Sequence, residues 1–220
     1  MNIPFSIEEF LHVIEQYNTT VWPMQGIFYL LALVMLGLAY KKIRYTDKII
    51  SSLLAFFWFW IGIVYHMIFF TEINKLAYAF GILFIIQAQL FFVSNWCKSQ
   101  VSFHYRKDLY GITGAVFFIY ALLIYPLLNY LLGHPYPKMP TFGLPCPTTI
   151  FTYGLLLWTD KKIPKYLLVI PLLWSLIGLS AAAQLGIYED YGLLIAGIVG
   201  TGLILFRDMK HGAPEEQPEK

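Results

Sequence analysis

Few side chains in this sequence combine reactive chemistry with an apolar setting, and they are the natural starting point. His66 is the only histidine inside an apolar stretch. Its ring titrates near neutrality and can donate, accept or ligate a metal, so at membrane depth it is a functional candidate by default. Gln87 is a neutral donor and acceptor in a second apolar stretch, with Tyr65 and Asn74 close by in sequence to His66. Cys146 lies in the run Gly133-His134-Pro135-Tyr136-Pro137-Lys138-Met139-Pro140-Thr141-Phe142-Gly143-Leu144-Pro145-Cys146-Pro147-Thr148-Thr149, where five of the twelve prolines occupy thirteen positions. Proline removes a backbone donor and restricts the residue before it, so this run cannot be helical throughout.

Two readings of the proline run follow. A rigid loop dipping into a helical bundle would present His134, Cys146 and the Thr148 hydroxyl to a pocket, because irregular backbone at membrane depth is tolerated only where it is buried or lines a cavity. Alternatively the loop is a stiff outer turn, Pro145 and Pro147 begin a helix, and Thr148, Thr149 and Thr152 bond back to helix carbonyls. Cys146 with His134 or His66 would suit nucleophilic catalysis, against the simpler role of a small packed residue. His12, His66, His134, Cys146 and Glu72 offer borderline metal ligands, of which His66, His134 and Cys146 are the leading set, but no pair shows His-x3-His or Cys-x2-Cys spacing. A bis-histidine haem would need a second histidine at span depth. For His66 itself the structural alternative is a neutral ring bonded to a neighbouring helix.

The elements that must position these residues are membrane helices. With 58% hydrophobic, 18% aromatic and 13% charged residues, the 220-residue chain is not an ordinary water-soluble globule. Apolar stretches run over about 24–40, 49–70, 76–96, 109–133, 143–159, 166–184 and 191–206, each near the ~20 residues that a hydrocarbon core requires. Of the fifteen Lys and Arg, thirteen fall in alternate connections (Lys41, Lys42, Arg44 and Lys48; Lys98, Arg106 and Lys107; Lys161, Lys162 and Lys165; Arg207, Lys210 and Lys220), leaving only Lys75 and Lys138 in the others. Short basic connections stay in the cytoplasm, which predicts an all-α seven-transmembrane bundle with its N-terminus outside and its C-terminus cytoplasmic. Phe5 to Tyr17 has helical apolar spacing and a Ser6/Glu9 capping box, giving an N-terminal amphipathic outer helix. The expected organisation is residues 1–23 as the outer amphipathic segment, 24–206 as the seven-span domain and 207–220 as a polar cytoplasmic tail.

No Asp, Glu, Lys or Arg lies within a predicted span. Proton-coupled carriers generally carry such groups there, so chemistry inside this bundle is expected to rest on neutral side chains. No loop presents a basic run interleaved with aromatics, which sets nucleic acid aside and leaves the lipid bilayer as the basic rim's partner. Cys97 and Cys146 fall at opposite ends of the bundle and cannot pair within one chain.

Tyr17-Asn18 through Trp22-Pro23 and Gln25, Trp60 to Tyr65-His66, Phe69-Phe70, Asn74, Gly81, Gln87, Tyr125-Pro126, the Gly133-His134-Pro135-Tyr136-Pro137 to Pro145-Cys146-Pro147-Thr148 run, and Leu173-Trp174 through Gly178 stand in the order of a known group. Over nearly its full length the chain resembles bacterial multi-span membrane proteins grouped as a domain of unknown function and sometimes labelled permeases. That resemblance implies a multi-pass protein of a bacterial inner membrane and carries no mechanism. The expected function is binding or transport of a small solute or a metal ion through a pocket in the outer half of the bundle, formed by His66, Gln87, His134, Cys146, Thr148, Asn74 and Tyr65. A membrane-embedded enzyme using a His/Cys cluster and a small assembly subunit are the alternatives, self-association is left open, and no cofactor is indicated.

Overall fold

Apolar stretches of this length become helices because a helix satisfies every backbone donor and acceptor within its own segment. In a computed structural model, residues 4–98 and 100–210 are described, and residues 211–220 of the expected tail lie outside them. Eight helices are present among the described residues: α1 (Ile7–Thr20), α2 (Met24–Lys41), α3 (Thr46–Glu72), α4 (Ala77–Trp96), α5 (Leu109–Leu131), α6 (Pro145–Leu157), α7 (Tyr166–Leu185) and α8 (Tyr188–Lys210). There is no strand among these residues beyond isolated bridges at Phe103–Thr159 and Phe142–Leu144. Six helices, namely α2, α3, α4, α5, α7 and α8, are long and apolar enough to cross a membrane.

The helix over the expected span 143–159 is the short one. Pro145 and Pro147 open α6, where a missing N–H costs nothing, and the backbone leaves helical geometry at Trp158, so only 13 residues are helical. Every α6 residue except Cys146 is buried. Close approaches allow this: a Cβ at Gly154 would stand 3.0 Å from the Gly114 carbonyl of α5 and 2.4 Å from the Phe118 ring, so neither helix tolerates a side chain there. Trp58 of α3 donates to Thr152 Oγ1 at 3.1 Å, and Tyr153 and Thr201 of α8 share a bond of 3.1 Å. Thr149 Oγ1 and Thr152 Oγ1 bond back to the carbonyls of Pro145 and Thr148, both at 2.8 Å. Thus α6 is a central rod sheathed by protein on all sides.

At one end of the bundle the basic connections gather. Arg207, 2% exposed, donates to the carbonyls of Leu156, in the last turn of α6, and Thr159, just past it, at a helix end whose last carbonyls lack helical donors. Arg106 also reaches Thr159 O and pairs with Asp108, the N-cap of α5, whose carboxyl it holds below the usual aspartate range. Lys42 pairs with Asp160, and Asn95 ties Asp47 O and Ser51 to the Val101 N–H.

The other end is built from α1, the α3–α4 turn, the proline loop and the α7–α8 turn. As its capping box predicts, α1 begins at Ser6, which accepts from Glu9 N while Glu9 accepts from Ser6 N, and it buries Val13, Ile14, Tyr17 and Asn18. Asn18 Nδ2 donates to the carbonyls of Pro137 and Met139 at 2.7 and 2.8 Å, and Gln25 Nε2 donates to Asn18 O at 2.9 Å. Gly143 closes the loop at φ +101, where a Cβ would fall 2.2 Å from the Phe28 ring. Two helices widen into π turns near this end, α3 over Ile61–Phe69 and α5 over Tyr120–Ile124. The second ends two residues before Pro126, whose missing N–H leaves a carbonyl one turn back without its usual donor.

Candidate functional site

Between the elements at this end lies a cavity of about 600 Å³. Its walls come from every element at that end: Phe5 and Phe10 from the α1 region, Tyr65 and Phe70 from α3, Phe80 from α4 and Trp174 from α7. The rings support one another, with Phe5 edge-on to Phe70 at 5.5 Å, Tyr65 stacked on Phe70 at 5.6 Å and Phe80 edge-on to Trp174 at 5.5 Å. Asn74, Lys75, Ser180 and Gln184 lie along its rim.

Polar groups meet at Asp190, the last residue of the 3-10 turn that opens α8. Asp190 lines the cavity and is 4% exposed, and Tyr125 donates its hydroxyl to Oδ1 at 2.5 Å. Tyr125 stands where it does because the π turn of α5 ends immediately before it. The Cys146 thiol lies among Asp190, Tyr125 and Trp174, and the Trp174 Nε1 faces it without completing a hydrogen bond. Next to this cluster Glu189 is 1% exposed, and neither of its carboxyl oxygens has a protein hydrogen-bond partner. Its backbone carbonyl accepts from the Tyr120 hydroxyl at 2.7 Å, and the Asn129 side chain lies beside its carboxyl.

The residues singled out by sequence divide between the cavity and its supports. Tyr65, Asn74 and Cys146 are on the lining. His66 stands one layer behind, its ring 4.8 Å from Phe84, 5.1 Å from Trp174 and 5.2 Å from Tyr65, and neither ring nitrogen has a protein partner. Gln87 is fully buried and donates to Leu167 O of α7 at 3.1 Å. His134 sits in the proline loop with its N–H on Asn129 O at 2.9 Å, and Thr148 Oγ1 accepts from Gly143 N at 3.2 Å. His66, Gln87, His134 and Cys146 therefore do not converge on one wall. Among the described residues, no three His, Cys, Asp or Glu side chains gather as a metal site.

The expectation of an interior with neutral groups alone is corrected by Asp190 and Glu189. Sequence places both in an outer connection, and the fold draws that connection inward as the first turn of α8. Their signal in the sequence is an acid pair abutting an apolar stretch in a connection without Lys or Arg, since carboxylates are favoured at a helix N-terminus. Tyr125 and Trp174 stand among the residues of the family resemblance, but nothing in their type or spacing marks them for this cluster, because aromatic residues in apolar helices are common as packing.

No curated protein and no solved structure matches this chain. A family model described as "Family of unknown function (DUF6064)" matches residues 7–215, nearly the whole chain, which therefore belongs to that family.

Proposed function

We propose that this protein crosses a bacterial inner membrane seven times, with the cavity end outside, and that the cavity binds a small, largely apolar solute reaching it from that side. The seventh crossing is α6. At 13 residues it spans ~20 Å, short of the ~30 Å hydrocarbon core, but a helix enclosed by protein needs no lipid-matched length of its own. The basic connections at the opposite end support a cytoplasmic placement for it.

The observation that carries binding is the joining of a cavity of about 600 Å³, with mostly apolar walls, to a buried cluster of Asp190, Tyr125 and Cys146. Ligand sites have this make-up: apolar walls for affinity and a few placed polar groups for orientation. Passage to the other face has less support. Behind the cavity wall Trp174 packs on His66 at 5.1 Å, His66 on Phe84 at 4.8 Å and Phe84 on Trp58 at 4.5 Å, a continuous chain of ring contacts.

Melting of the purified protein against a panel of apolar amines, alcohols and acids tests this reading. A ligand at a hundredfold excess over its Kd adds ~2.7 kcal/mol and raises the melting temperature. Ile177→Trp, which places a large ring in the cavity from half-buried α7, should abolish the shift. A panel without any shift, or a shift that survives Ile177→Trp, would sink the proposal.

A further inference from the structure

We propose that the ligand is an organic cation, an amine whose apolar groups pack on the aromatic walls and whose positive charge is met by Asp190. The inference rests on the binding reading above and names the class of ligand. Three observations support it.

First, the acids lack a counter-charge. Ion pairs among the described residues join His12 to Glu15, Lys42 to Asp47 and Asp160, Arg106 to Asp108, and Arg207 to Asp208. Neither Glu189 nor Asp190 takes part, although they are 1% and 4% exposed. Buried carboxyls are ordinarily paired, because burial without a partner is costly. The start of α8 and the Tyr125 hydroxyl offset part of that cost, but a helix terminus supplies only about half an elementary charge for two adjacent acids. Lys75 is exposed on the rim and forms no ion pair with either.

Second, the walls are the right kind. Phe5, Phe10, Tyr65, Phe70, Phe80 and Trp174 all line the space. The face of an aromatic ring is negative, and a cation within ~6 Å of its centroid is attracted, most strongly where water is excluded. Aromatic walls that share a cavity with one carboxylate suit an alkylated ammonium, which is too weakly hydrated to lose much on entry. Third, the alternatives fit less well: an anion would meet the Asp190 carboxyl on the lining, and a hydrocarbon chain would leave that carboxyl buried against it with no counter-charge.

The test uses two probes of one shape, (3-hydroxyphenyl)trimethylammonium and 3-tert-butylphenol, which differ in charge. Titration calorimetry on the full chain in lipid nanodiscs, referenced to empty nanodiscs, should show the cation binding at least tenfold more tightly. Asp190→Asn, which keeps an acceptor for Tyr125, should erase that preference, so that the two probes bind within twofold of each other. Equal binding of both probes by the unaltered protein would overturn the cation and leave the cavity reading standing. Binding of neither would overturn both. The comparison in the unaltered protein decides the matter even if Asp190→Asn fails to fold, and a preference that persists in folded Asp190→Asn would equally overturn the role of Asp190.

Discussion

Asn18 secures the proline loop with a single side chain. Its two amide hydrogens go to the carbonyls of Pro137 and Met139, and its own carbonyl accepts from Gln25, so the loop is tied to α1 as well as to its flanking helices. Asn18→Ala leaves two carbonyls without donors, and an unsatisfied buried partner costs about 1–3 kcal/mol. We expect Asn18→Ala to lower the melting temperature by the equivalent of about 2 kcal/mol, and Asn18→Asp, which loses the same donors, to do no better. Unchanged melting of either variant would show that the loop is held elsewhere. Asn18, Tyr17 and Gln25 are among the residues that carry the family resemblance, yet nothing in their spacing reveals that they clamp a loop more than a hundred residues away. The same limit explains His66 and Asp190. Depth along a helix can be read from sequence, but the direction a side chain faces depends on its neighbours, so the ring expected in the pocket stands behind its wall and the acid expected in a loop lines it.

Proline interrupts the hydrogen-bond ladder of α7, and a neighbouring helix repairs it. Pro171 lies inside α7 and has no N–H for the carbonyl four residues earlier, Leu167 O. Gln87 of α4 supplies that donor at 3.1 Å, which gives a polar residue deep in an apolar helix a structural task. Gln87→Leu should therefore cost about 1–3 kcal/mol in the parent chain. In a Pro171→Ala background it should cost little, because Ala at that position can bond Leu167 O within its own helix. Melting of the two single variants and the double variant gives the coupling, and strictly additive effects would show that the two residues act independently. At this scale the sequence is most informative. Apolar length marks six long helices, the Ser6/Glu9 pair marks the start of α1, and Pro145 with Pro147 marks the start of α6. It does not reveal the π turns or the shortness of α6, since both arise from packing against other helices rather than from local preference.

Across the whole molecule charge is sorted between the two ends, and the structure gives the sorting a second role. Arg207, Arg106 and Lys42 are engaged with carbonyls and carboxylates that stitch one end together, whereas Lys41, Arg44, Lys98, Lys107, Lys161, Lys162, Lys165 and Lys210 stay exposed there. An exposed basic rim favours the anionic cytoplasmic face, and each such residue near the surface contributes about 1 kcal/mol. The cavity end instead carries Glu8, Glu9, Glu15 and Glu72 with only Lys75 and Lys138. Orientation follows from the Lys and Arg count, so the cavity should open outward. A reporter active only in the cytoplasm, fused after Lys210 so that the buried Arg207 is retained, should be active. In a Cys97→Ser background, the Lys138→Cys variant should react in intact cells with a thiol reagent that cannot cross the membrane. A silent fusion together with an unreactive Lys138→Cys variant would place the cavity in the cytoplasm, where a solute would reach Asp190 from inside the cell. An active fusion with an unreactive Lys138→Cys variant would put both ends on one side, which an odd number of crossings forbids, and α6 would then have to be read as a buried helix that does not cross.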